Sequence, residues 1–288
     1  MIVVLMLLAG ICTVLFPFVM QWRSEQRLRQ TSGIVASYVA GWPHWKIDDN
    51  LERSRAYNRR ILMHAQPVIG ESANPFVPQQ RKEQMDVSLF AADEDSEYWS
   101  LIDAGEGIMG TVRIPKIDVV LPIYHGTSTT SLNSGVGHLY GTSLPVGGAS
   151  THTVITGHRG LASALMFTRL DEMAEGDVFH LDVLNETLSY RVDSIRVIEP
   201  DDVSSLLIRP DEDRVTLMTC TPYGINTQRL LVSGIRTDVP ASASVSRATI
   251  SSRWLVAIGV GLVLIAAIAC CIALRWRRHG VRARHAKV

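Results

Sequence analysis

Cys220, His158 and Arg229 are the side chains best suited to covalent chemistry. Cys220 stands in Thr216-Leu-Met-Thr-Cys-Thr-Pro-Tyr-Gly-Ile-Asn-Thr-Gln-Arg229. Arg214 to Thr219 mixes β-branched and apolar residues without a breaker, the pattern of a strand. Pro222 and Gly224 then force a loop, and a second strand follows from about Gln228 to Thr237. Two strands joined by so short a loop form an antiparallel hairpin in the simplest case. Cys220 then ends one strand and Arg229 begins its neighbour, so a thiol and a guanidinium share one rim of a sheet. A thiolate is a strong nucleophile, and a nearby cation favours that form. Arginine can also donate hydrogen bonds to a developing oxyanion. A buried thiol that only packs, beside a surface arginine, is the plain alternative on this stretch alone.

A cysteine nucleophile generally works with an acid or base partner. Before the C-terminal tail the histidines are His44, His64, His125, His138, His152, His158 and His180. His158 differs from the others in setting. It follows the strand-like run His152-Thr-Val-Ile-Thr156 and lies in Thr156-Gly-His-Arg-Gly160. The two flanking glycines mark a tight loop that presents the ring at a strand end.

The elements that must position these groups fall into distinct textures. The chain has 288 residues, 47% of them apolar, and no net charge. Six Lys and Arg side chains sit in the last fourteen residues, with no acid among them. Removing those six from 28 leaves 22 basic against 28 acidic side chains elsewhere. That balance argues against nucleic-acid binding, which needs a basic face. Of the four cysteines, Cys12, Cys270 and Cys271 lie in apolar end segments and Cys220 is alone between them. The region between therefore holds neither an internal disulfide nor a cysteine-based zinc site. No acidic cluster has calcium-loop spacing, so neither metal nor cofactor is implied.

Residues 1–20 carry no charged side chain, and residues 254–274 form a second apolar run. Each is long enough to span a bilayer. The expectation is an N-terminal transmembrane helix or uncleaved signal anchor over 1–22 and a C-terminal one over 254–274. The basic tail, 275–288, is then cytoplasmic. Arg23, Arg27 and Arg29 argue for the opposite orientation of the first segment. The reading adopted is a multi-pass protein with both ends inside and the central domain outside. Residues 30–106 read as helical and polar, interrupted by an exposed loop over 70–78. From 107 to 238 short β-like runs alternate with Gly and Pro, suggesting a closed barrel or sandwich. Within it one helix is expected from about Ala162 to Met173, and Asn185-Glu186 is expected to turn one strand pair. Residues 239–252 form an Ala/Ser/Thr-rich linker.

These motifs jointly resemble the sortases, membrane-anchored cysteine transpeptidases of Gram-positive bacteria, and most of all the class C, pilin-polymerising subgroup. Thr216-Leu-Met-Thr-Cys220 is similar to the family's TLxTC nucleophile motif, and Thr221 to Leu231 to the run containing its arginine. Thr156-Gly-His-Arg-Gly-Leu161 is similar to the histidine motif. Leu121-Pro-Ile-Tyr-His-Gly-Thr127 and Gly137-His-Leu-Tyr-Gly-Thr-Ser-Leu-Pro145 match as well. The resemblance covers roughly residues 45–238 and the C-terminal helix.

It implies a mainly β fold: a sortase-like eight-stranded β-barrel with an N-terminal helical region and two flanking transmembrane helices. It implies His158, Cys220 and Arg229 as catalytic residues at one rim. It also implies cleavage of an LPxTG-like sorting signal between Thr and Gly, a thioester on Cys220, and transfer to a pilin Lys amine. Subgroup members carry a lid loop with an Asp-Pro-aromatic motif, which Asn74-Pro75-Phe76 resembles except that Asn replaces Asp. A housekeeping sortase that anchors surface proteins to a cell-wall precursor is the alternative enzyme. A plain cysteine protease lacks the usual motifs around its Cys and His. A catalytically silent, membrane-tethered binding module is the alternative of another class, and intact His158, Cys220 and Arg229 argue against it.

Overall fold

The structure is a computed structural model that describes residues 2–64, 66, 69, 95–240 and 261. The chain divides into two compact units, residues 1–22 with 247–288, and residues 23–246. In the first, residues 2–22 are helical. Among the described residues no helix is long and apolar enough to cross a membrane. The run over 254–274, apart from Gly261, lies outside those residues, and of the first segment the backbone alone is described at several apolar positions, Ile2 to Leu5 among them.

The second unit begins within α1 (Ile2–Ala40). Leu28, Val35 and Val39 are its buried apolar residues there, and Arg29 pairs with Asp118 at 2.7 Å. Gly41, Trp42 and Pro43 separate α1 from α2 (His44–Met63). Pro43 takes the N-cap position of α2, where its missing N–H costs no helical bond. Ile47, Leu51, Ser54 and Tyr57 bury one stripe at steps of three and four, the spacing of a helix face. Asn58 fixes this helix to the barrel. Its amide donates to Leu144 O at 3.1 Å and accepts from Leu144 N at 2.7 Å.

Eight strands close a barrel in the order β1 (Ile108–Ile114), β2 (Val119–His125), β3 (Val136–His138), β4 (Thr151–Thr156), β7 (Asp213–Thr221), β8 (Gln228–Arg236), β6 (Glu186–Ile198) and β5 (Val178–Val183). β5 pairs back onto β1, through Thr111 with Asp182 to Arg113 with His180. Closure removes the unpaired edges that an open sheet would leave. β2–β3 and β4–β7 run parallel, and the remaining neighbours antiparallel. β7 lies between β4 and β8 and is buried from Arg214 through Cys220. The core contains Val112, Ile114, Ile155, Phe179, Leu181, Tyr190, Val215, Leu217 and Val232.

Two local expectations change. The turn between β5 and β6 is centred on Leu184 and Asn185, at φ 48° and 64°, not on Asn185 and Glu186. Positive φ at both central residues suits the twist of a two-residue hairpin. The helix expected over Ala162 to Met173 is absent; turns lead to a short 3-10 segment, Leu170–Glu172. Phe167 N donates to His158 O at 3.0 Å and Gly160 N to Thr168 Oγ1 at 3.1 Å. The backbone here bonds across the loop, and Ala164, Met166, Phe167, Leu170 and Met173 are buried in the core. In the second half of the helical region, residues 70–94 lie outside the described residues. Its described helix is the five-residue α3 (Ser96–Ser100), capped by Asp95 Oδ1, which accepts from Tyr98 N at 2.9 Å.

Candidate active site

The β7–β8 hairpin puts Cys220 directly opposite Arg229 in the strand register. β4 supplies the third group. Its parallel pairing with β7 runs from Thr151 with Asp213 to Thr156 with Met218. It continues one residue further, where Gly157 N donates to Met218 O at 3.1 Å. Thr219 Oγ1 then donates to Gly157 O at 2.7 Å. The loop carrying His158 is therefore bonded to the last residues of β7, and His158, Cys220 and Arg229 share one rim of the barrel.

Gly157 makes this approach possible. A Cβ there would lie 2.8 Å from Val136 Cγ1 and 2.9 Å from Phe167 Cδ2, closer than carbon atoms pack. Gly160 closes the loop at φ 80°, a conformation that glycine reaches without Cβ strain.

The rim is well buried for a site of polar chemistry. Cys220 is 4% exposed and Arg229 2%, and His158 is half-buried. Burial pushes the Cys220 thiol above its ordinary range, against the attraction of Arg229 and then Arg159. Burial also lowers the His158 imidazole. It pulls the Arg229 guanidinium down as well, opposed by Cys220. Desolvation disfavours whichever form is charged, so the rim favours a thiol beside a neutral imidazole. The Arg229 Nη1 donates to Gln228 O at 2.9 Å and Asn226 O at 3.4 Å, which aims the guanidinium along the start of β8.

Five of the other described histidines, His64, His125, His138, His152 and His180, have hydrogen-bond partners. His138 is fully buried, with Nδ1 3.0 Å from the Tyr98 hydroxyl and Nε2 2.9 Å from Ser143 O. Tyr98 also accepts from Gly126 N at 2.8 Å, so this pair fastens α3 to β2 and β3. His125 bridges Gly107 O and Leu101 O at 3.0 and 2.9 Å. His152 lies between Leu207 O and Thr216 Oγ1 at 3.0 and 2.7 Å. His180 reaches Ser189 Oγ at 2.9 Å, and His64 reaches Arg60 O at 2.8 Å on the surface of α2. His44 is exposed at the start of α2.

Asn74, Pro75 and Phe76, the residues of the expected lid, lie outside the described residues. A cavity of about 410 Å³ does open in the barrel unit, but elsewhere. Its walls include Val35, Val39, Met109, Asp182 and Asn185, and none of the three rim residues. Arg159 was not singled out from the sequence as a site residue. Its Nη1 donates to Thr221 Oγ1 at 3.1 Å, beside Cys220. Its signal was its place directly after His158 in the same Gly-bounded loop.

Comparison with known proteins agrees with this geometry. Residues 112–237 match the sortase domain. Sortase D of Bacillus subtilis is 29% identical over 130 residues, 44% of this chain, and the chain spans 63% of that protein's length. The crystal structure of sortase C-1 from Streptococcus pneumoniae superposes with a TM-score of 0.60 at 39% identity, covering 72% of this chain and 98% of that one. For sortase C-1 from Actinomyces oris the values are 0.55 and 40%, covering 66% and 98%. The chain belongs to the sortase family of cysteine transpeptidases, and its structural relatives are class C sortases.

Proposed function

We propose that this chain is a transpeptidase of the pilin-polymerising kind, with Cys220 as nucleophile, His158 as proton carrier and Arg229 as oxyanion partner. The observation that carries the reading is the register that pairs Cys220 with Arg229 while β4 delivers His158 to the same rim. In this mechanism an LPxTG-like sorting signal lies across the rim. Cys220 Sγ attacks the carbonyl carbon of the Thr–Gly bond and its proton passes to the neutral His158 ring. Arg229 donates to the oxyanion that forms. The tetrahedral intermediate collapses, His158 gives its proton to the departing glycine amine, and the Thr carbonyl remains on Cys220 as a thioester. An acceptor amine then attacks, His158 takes up its proton, and the thiol is released with its proton restored.

Burial of both partners supports the use of a neutral base and a protonated thiol at rest. General acid–base catalysis of this kind contributes about 10²–10⁴-fold. Likeness to class C sortases supports a Lys amine of a pilin as acceptor, giving an isopeptide bond. The apolar runs over 1–20 and 254–274 and the basic tail support a multi-pass membrane anchor with the barrel on the outer face. A cysteine placed near residue 285 should then resist an impermeant reagent in intact cells; labelling there would refute that topology.

The acceptor is tested by competition. A sorting-signal peptide is supplied with equal amounts of a Lys-bearing pilin segment and an oligoglycine amine. Preferential joining to the Lys side chain is expected. Preferential joining to the glycine amine would assign the chain to cell-wall anchoring instead.

A further inference from the structure

One buried cation beside the thiol has no part in the acyl-transfer steps. Arg159 follows His158, and its guanidinium reaches in two directions. Nη1 donates to Thr221 Oγ1 at 3.1 Å, one residue beyond Cys220, and Nη2 forms an ion pair with Asp171. The Tyr223 ring lies 5.9 Å from its Cζ. A Cβ at Gly160 would come within 3.3 Å of that same ring. The Arg159 side chain is only 7% exposed, and its buried Nε has no hydrogen-bond partner among the described residues. A guanidinium buried with one N–H unsatisfied is a costly way to hold a loop. A neutral donor could bond Thr221 without that cost. What arginine adds is charge together with a fork that engages two groups at once.

We propose that Arg159 is a positioning residue for the thioester chemistry: it clamps the loop after β4 to the end of β7 and supplies Cys220 with a second positive charge. The proposal rests on the reading of Cys220 as the nucleophile. The charged groups acting on the thiol are Arg229 from β8 and Arg159 from the loop after β4; His158, on that same loop, shares the rim. Asp171, from the 3-10 segment, acts on it through Arg159. Arg229 is the larger of the two cationic influences and Arg159 the smaller. Removing the Arg159 charge leaves burial less opposed, so the thiol should titrate higher. Removing the Asp171 charge uncovers Arg159, so the thiol should titrate lower. A scaffold that merely held the loop would give no such pair of opposite signs.

The test is the pH dependence of Cys220 alkylation by iodoacetamide. It uses the full chain in detergent, in a background with Cys12→Ser, Cys270→Ser and Cys271→Ser. Arg159→Gln should move the midpoint up and slow alkylation at pH ~7.5 by about 3- to 10-fold, since raising the midpoint by one pH unit leaves about tenfold less thiolate. Arg159→Lys should keep the midpoint near that of the parent. Asp171→Asn should move it down. Midpoints that stay in place, or move in the same direction in Arg159→Gln and Asp171→Asn, overturn the proposal. Should Arg159→Gln fail to fold, Asp171→Asn decides alone: a lowered midpoint supports the role, and an unchanged or raised one overturns it. The underlying reading is separable. A parent chain that cleaves a sorting-signal peptide without acylating Cys220 overturns the nucleophile, whereas an acylating parent with unmoved midpoints overturns only the role of Arg159.

Discussion

At the scale of single residues the site combines two opposing effects. Burial works against every charged form at the rim, raising the Cys220 thiol and lowering the His158 ring. The cations work the other way on the thiol. In the proposed mechanism that balance calls for a nucleophile formed when it is needed, by proton transfer from Cys220 to His158. A neutral His158 is able to accept that proton, and removing it should be severe. His158→Ala should lower turnover by at least ~100-fold, the lower range for loss of general acid–base catalysis, while thermal unfolding stays near that of the parent. A variant with near-parent turnover would move the proton-transfer role to another group. The three rim residues were legible in the sequence because breakers mark the segments that carry them. Pro222 and Gly224 delimit the hairpin, and the glycines around His158 delimit its loop. Arg159 was legible only as a neighbour, since its contacts with Thr221 and Asp171 cross between elements.

At the scale of elements, precision comes from the parallel β4–β7 pair. Sequence patterning found β4 to within one residue of its observed limits, Thr151–Thr156, and both strands of the hairpin near theirs. It did not find β3, whose three residues are too few to show an alternation. It also predicted a helix over 162–173, where helix-forming residues are plentiful. The loop instead bonds His158 O through Phe167 N and Gly160 N through the Thr168 hydroxyl, and bonding of this kind overrides propensity. Those bonds shape the rim. Gly157→Ala should therefore harm activity out of proportion to its size, because its Cβ meets Val136 and Phe167. Overpacking of this sort costs about 1–3 kcal/mol. A lowered Tm and a loss of turnover are expected together, and an Ala variant with parent-like Tm and turnover would show that the loop yields easily.

At the scale of the whole molecule, buried histidines set how the barrel responds to acid. His138 and His152 are each lowered by burial to about 4, from an ordinary value of 6.5. Backbone acceptors at Ser143 and Leu207 oppose that shift only in part. Between those limits the unfolded chain binds more protons than the folded one. Stability therefore falls as pH drops from 6.5 toward 4, by about 1.4 kcal/mol per pH unit for each fully linked group. Denaturant unfolding at pH ~7, ~6 and ~5 should show a steady decline, and a flat profile would mean that these rings already carry their protons in the fold. The Tyr98–His138 link joins α3 to the barrel, so the same acidification should loosen the helical region's hold on the β-sheet. Fold class was legible in the sequence through the spacing of short strands between Gly and Pro. Closure was legible as one of two options, barrel or sandwich, and through the family resemblance; the pairing that achieves it was not, because β5 meets β1 from across the chain.

Everything proposed for the rim requires that Cys220 carry the acyl group. The direct measurement is intact-protein mass spectrometry after incubation with an LPxTG-like peptide and no acceptor amine, followed by mapping of the modified residue. The expected result is a mass increase equal to the peptide up to its Thr, located on Cys220, reversed by an added amine and missing from Cys220→Ala. Cleavage of the peptide with no adduct on Cys220, or an adduct that persists in Cys220→Ala, would contradict it.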